Sequence, residues 1–422
     1  MKKVIASFLF LIVLISFFLY KFGSRKSLPL TYLKRPCEII VFNKIDTKQI
    51  YVTLEFKNAG VLQNLDRQHG MSVLISKLLF RKINGLTVSE TSEKLQQLGI
   101  TNLSVNGLSD SFVVSFSVVK DQFKPAIKFL ISGLGEKFSE NDLSYVKELF
   151  PFQINPENSR PDEILLDKLY QNLYPNHVYG KNVTGSSDSI AKITLGDIDN
   201  FIKNNLALNN LRIYYAGAYS IENLRILIDE ISKFLSKKPI QSKVNNLKDI
   251  KVNCANVEIR NSNIRDIRGV ATGIRLDGLS NREKAALYII ADVLFNKDNG
   301  EFLNTDIPMN FSYSIDDRKL STILVLTAFV QEGDLDKYLK RQSDFLSKLN
   351  LSQLKNLELS KKDFIENQQI YSLRSLRNKL VFVGLPFEDC DEEIYQKILQ
   401  KIQQKEVRST VSILEEETSL NQ

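Results

Sequence analysis

The sequence predicts an α+β protein of two lobes, on three observations. Segments rich in Val, Ile and aromatic residues at strand spacing alternate with amphipathic helical patterns. A Lys-, Ser- and Asn-rich stretch carrying Pro239, residues 237–252, separates two such halves. With 422 residues, the chain is long enough for each half to bury its own core.

In order, Lys2-Lys3 precedes an uncharged apolar run from Val4 to Tyr20, the pattern of a signal anchor or a cleaved secretory signal, assigned to residues 1–27. The run is near the lower length limit of a spanning helix, and no small-x-small cleavage site follows it. The expectation is therefore an exported chain tethered through residues 4–20, facing the periplasm from the inner membrane if the source is bacterial. Secretion after cleavage is the alternative.

The first lobe is expected over residues 35–236. Strands are read at Glu38–Phe42 and Gln49–Phe56, and then a mostly apolar, buried helix over 70–81. A helix at 88–99 capped by Gly99 and two strands about the turn Gly107-Leu108-Ser109-Asp110 follow, then helices at 123–134, 141–153 and 161–173. The second lobe, 253–410, opens with strands. Ser280 caps a helix over 282–295, a strand follows at 320–330, and the rest is mainly helical. An acidic tail, 411–422, is read around Glu415-Glu416-Glu417.

Composition narrows the chemistry. The net charge is +7, but Lys and Arg are scattered among Asp and Glu, which describes a solvated surface compatible with anionic lipid and argues against nucleic acid. Three cysteines without a Cys-x-x-Cys make no disulfide framework. Only two histidines exist, His69 and His177, so a histidine-based zinc site would need carboxylates or thiols to complete it.

Several motifs occur together: Gly70-Met71-Ser72 with Leu78-Leu79-Phe80-Arg81, Tyr174-Pro175-Asn176-His177-Val178-Tyr179-Gly180, Gly185-Ser186-Ser187-Asp188-Ser189-Ile190, and Asn210-Leu211-Arg212-Ile213 through Gly217. In this order and approximate spacing they resemble the pitrilysin or insulinase family of zinc metallopeptidases, the His-x-x-Glu-His inverzincins. The resemblance spans roughly residues 37–400. It implies two related lobes, each an antiparallel sheet packed on helices, closing as a clamshell on peptides. Its register puts the catalytic positions on Val73, Ser76 and Lys77, and the third metal ligand on Gln153 before Ile154.

None of these four can do the family's chemistry. Valine cannot coordinate, serine is too weak a base, and a lysine ammonium puts a cation where zinc would sit. The resemblance therefore implies a non-catalytic member without zinc, pairing with an active homologous peptidase to form a peptide chamber. A membrane-anchored scaffold and an active peptidase are the alternatives. Tyr313 matches a substrate-binding tyrosine, with a half-buried strand residue as the plain alternative, while the matching arginine position falls on Asp306. His177 is expected to be structural, and Asp188 and Ser189 to be turn and capping residues.

Overall fold

The computed structural model describes residues 30–415 except 34–36, 43–46, 61–68, 155–159, 219, 237–246, 248–249, 255, 262–266, 297–299, 367–375 and 378–379. The expected anchor at 4–20 and most of the expected linker lie outside them. No described helix is long and apolar enough to cross a membrane.

Two sheets form the frame. The first has the order β1-β2-β6-β3-β5-β4, from β1 (Leu30–Leu33), β2 (Glu38–Phe42), β3 (Gln49–Lys57), β4 (Ile100–Gly107), β5 (Ser111–Val119) and β6 (Leu211–Gly217). The second runs β7-β11-β8-β10-β9, from β7 (Asn256–Asn261), β8 (Ile267–Asp277), β9 (Met309–Asp317), β10 (Ser321–Gln331) and β11 (Arg408–Glu415). In each sheet one parallel pair, β2 with β6 and β7 with β11, joins an otherwise antiparallel ladder. Strands β2, β6, β3, β5 and β4 thus correspond one to one with β7, β11, β8, β10 and β9. The lobes are two copies of one topology, with β1 added to the first.

Strand β11 corrects the expected acidic tail from 411. Thr410, Val411, Ser412 and Ile413 pair with both β7 and β8, and Val411 and Ile413 are fully buried. Their alternation with polar Ser and Thr is a strand signal, and it was hidden by the acidic residues that follow. The second lobe is not closed until this last strand is in place.

Helices cover one face of each sheet. On the first lie α1 (Met71–Leu78), α3 (Phe123–Ser132) and α8 (Ile221–Phe234), with α2 (Val88–Gln97), α4 (Glu140–Ile154) and α7 (Leu195–Asn205) around them. On the second lie α9 (Asn281–Phe295), α10 (Leu335–Ser347), α11 (Leu357–Glu366) and α12 (Glu392–Gln403). Ser280 caps α9 as the sequence implies, in a capping box with Glu283.

The opposite faces are covered by exchange. Helix α5 (Pro161–Leu173) follows first-lobe elements in sequence, yet Leu165, Leu169 and Leu173 pack on Ala271, Val325, Val411 and Ile413 of the second sheet. Conversely, Leu376, from the second half, is buried against Ile40, Phe42 and Tyr214 of the first. The expected lobes of contiguous sequence, 35–236 and 253–410, are thus interlocked. The expected linker contributes as well, since Leu247 is buried in the same seam.

Candidate functional site

Helix α1 is shorter than the expected 70–81. It ends at Leu78, Leu79 is extended, and Phe80 turns left-handed at φ 62°. That turn buries Leu79 and Phe80 in the core, where Phe80 packs on the backbone of Gly133. The start of α1 needs Gly70, at φ 85°, because a Cβ there would strike the carbonyl of Thr184.

Met71, Leu74, Ile75 and Leu78 face the core. The next face, with Val73 and Ser76 half-buried and Lys77 exposed, lines a cavity of about 930 Å³. Across it stand the β4–β5 turn, the polar face of the first sheet and the β9–β10 turn of the second lobe, so the cavity lies between the lobes. The structure thus brings Val73, Ser76 and Lys77 to one wall. Gln153 lies in the last turn of α4, a helix packed beside α1; its side chain is outside the described residues. Tyr313 stands apart on β9, half-buried against Phe295 with its hydroxyl donating to Asp292 Oδ1 at 3.3 Å, and it does not line the cavity.

The donor set does not fit zinc. Val73 has no lone pair, Ser76 Oγ donates to the Val73 carbonyl at 2.7 Å, and Lys77 carries three N–H donors and a positive charge. Among the described residues no three His, Cys, Asp or Glu side chains cluster closely enough to hold a metal ion.

The rest of the wall is an ion-pair lattice that the sequence reading missed. Glu38 takes Arg212 Nε at 2.7 Å together with the Lys57 ammonium; burial alone would raise its carboxyl, but the two cations outweigh burial and hold it below the usual range. Glu55 accepts from the Tyr214 hydroxyl at 2.8 Å. On the second lobe Lys284 meets Asp317 at 2.6 Å and Arg318 meets Asp316 at 2.8 Å. Arg318 is buried, lies over the Tyr170 and Tyr179 rings, and donates to the Tyr179 carbonyl at 2.9 Å. Adjacent opposite charges in a strand turn, Asp316-Asp317-Arg318-Lys319, were the only local signal.

His177 holds the seam beside this site. It is buried, and its Nδ1 accepts the Tyr179 backbone N–H at 3.1 Å. Burial first, then Arg275 and Arg318, push its imidazole down to about 4, so it stays neutral and structural, as expected. Asp188 sits in the first turn of a short helix, α6 (Ser187–Ala191). Its N-cap is Ser186, whose hydroxyl accepts the Ser189 N–H, so Ser189 completes the cap rather than forming it.

Fold and site together define a class: a two-lobed α+β protein whose inter-lobe chamber offers no zinc donors from Val73, Ser76 and Lys77. Solved structures share the architecture. A peptidase M16 inactive domain from Pseudomonas fluorescens superposes with a TM-score of 0.78 at 16% identity, covering 92% of this chain and 98% of that one. A protease from Helicobacter pylori gives 0.75 at 13%, covering 91% and 98%.

Among curated proteins, the chain is 20% identical over 181 residues to a probable mitochondrial-processing peptidase subunit beta of Arabidopsis thaliana, 43% of this chain and 33% of that protein. It is 18% identical over 194 residues to an uncharacterized zinc protease of Rickettsia felis, 46% of this chain and 47% of that one. The chain therefore spans less than half the length of these relatives. No protein-family profile matches it. The resemblance to pitrilysin-type peptidases read from the motifs holds in the fold and in these distant relatives.

Proposed function

We propose that this chain is a non-catalytic zinc-peptidase homologue that pairs with an active homologous peptidase and contributes one wall of a peptide-binding chamber. The observation that carries the reading is the placement of Val73, Ser76 and Lys77 together on the cavity wall. The helix keeps the position from which a zinc site would act, and these side chains supply neither two ligands nor a general base. Subunit names among the relatives, such as the mitochondrial-processing peptidase subunit beta of Arabidopsis thaliana, support a paired arrangement. The same reading tethers the chain to a membrane through residues 4–20, supported by Lys2-Lys3 and the uncharged run behind them.

Zinc measured in the purified full-length chain tests the first half of the proposal: the expected content is far below one equivalent, and stoichiometric tightly held zinc would sink it. Affinity purification from the native source tests the second. Recovery of a homologue with an intact His-x-x-Glu-His supports pairing, and its repeated absence favours a scaffold that works alone.

A further inference from the structure

The charges lining the chamber do not cancel. Lys57 and Arg212 are matched by Glu38 and Glu55, and Lys284 and Arg318 by Asp317 and Asp316. Among the described residues Lys77 forms no ion pair, and the Lys319 ammonium reaches only the neutral Asn58 Oδ1, at 2.7 Å. Against these two cations stands one further acid, Asp110, whose oxygens are already occupied by the Tyr179 hydroxyl and the Lys319 backbone N–H. Among the described residues the surplus is therefore positive, and a recess with low-dielectric walls concentrates its field.

Apolar groups flank the cations. Val73, Val105, Leu108, Ile315 and Val381 line the same cavity, and Leu108 and Val381 are 47% and 46% exposed. Val183, Thr184 and Arg318 also line a second, neighbouring cavity of about 880 Å³ along α5 and the edge strand β7. A recess of this volume, between two lobes and open to solvent, has room for an extended chain rather than only a compact metabolite.

From this geometry we infer that the chamber selects acidic peptide segments, aspartate or glutamate interspersed with aliphatic residues, with carboxylates on Lys77 and Lys319 and aliphatic side chains on Leu108 and Val381. A basic segment meets two unmatched ammonium groups and is disfavoured. Lys77 then has a use that its position at the last turn of α1 does not by itself require. The inference rests on the reading of the chamber as a peptide site and adds the class of peptide.

Fluorescence anisotropy of the full-length chain, with a labelled peptide of alternating glutamate and leucine and its lysine–leucine counterpart, tests it. The acidic probe should bind about tenfold or more tightly than the basic one, and weaken as salt is raised. Lys77→Glu with Lys319→Glu should abolish that preference, while Lys348→Glu, which lines neither cavity, should leave it intact. Circular dichroism melting confirms that the variants are folded. Equal binding of both probes, or preference for the basic one, overturns the charge selection and leaves the peptide chamber standing. Failure of both probes to bind overturns the chamber reading along with it.

Discussion

Asp110 and Lys319 join the two lobes at the mouth of the chamber. Asp110, on the β4–β5 turn, accepts the Lys319 backbone N–H at 2.7 Å from the β9–β10 turn, and the Tyr179 hydroxyl at 2.5 Å. Burial raises its carboxyl despite both bonds. Asp110→Ala would leave a buried hydroxyl and a backbone N–H without their acceptor. The expected loss is about 1–3 kcal/mol, read as a lower urea midpoint, whereas Asp188→Ala on an exposed first turn should move it little.

The buried His177 predicts an acid sensitivity of definite sign. Its folded value is lowered to about 4, so below its ordinary range near 6.5 the unfolded chain takes the proton and the folded chain resists it. Stability is full above that range and is lost as pH falls from there towards 4. His177→Asn keeps an acceptor for the Tyr179 N–H without a titrating ring. Urea midpoints of this variant should be flatter across that window than those of the parent chain, and parallel curves would contradict the assignment.

Close packing between α1 and β4 gives a pair of opposite effects. Ser72 is fully buried and its hydroxyl has no hydrogen-bond partner among the described residues, so Ser72→Ala should be neutral or stabilise by up to about 1 kcal/mol. A Cβ on Gly107 would come within 2.5 Å of the Ser72 carbonyl carbon, a backbone atom that cannot step aside. Gly107→Ala should therefore cost about 1–3 kcal/mol or more. Thermal melts of the two single variants check both directions.

The placement of α1 allows a metal-binding test of the proposed register. Positions 73 and 77 are one turn apart on the cavity side, so Val73→His with Lys77→His would present two imidazoles to one point and remove the opposing ammonium. The double variant should acquire cobalt or zinc near one equivalent, well above the content expected of the parent chain, and Gln153→Glu should tighten it. If neither combination takes up metal, the register assigned to this helix is wrong.

Much of the fold was readable because local signals agreed. Helix Pro161–Leu173 announces itself by Pro161 at its first position and by Leu165, Leu169 and Leu173 on one stripe, and its bounds are as expected. The destination of that stripe was not readable, since an apolar face requires burial but does not say against what. Helix α8 was overlooked although Ser220 caps it and Leu224, Leu227 and Ile231 keep helical spacing. Strand β11 was masked by the acids beyond it.

What the sequence determined by itself is the class of architecture and the state of the helix at 71–78. Strand and helix periodicities, the ordered motifs and the absence of any His-x-x-Glu-His are local properties of the chain, and tertiary contacts do not alter them. What only the tertiary structure decided is the chamber. The Asp110–Lys319 bond closes over 209 residues, and the Arg318 clamp on Tyr179 over 139. The exchange of α5 and Leu376 between lobes likewise joins segments far apart in sequence. Hydrogen bonds and buried charges at such separations leave no periodic trace in sequence, because each partner is only an ordinary polar residue until folding removes water from around both.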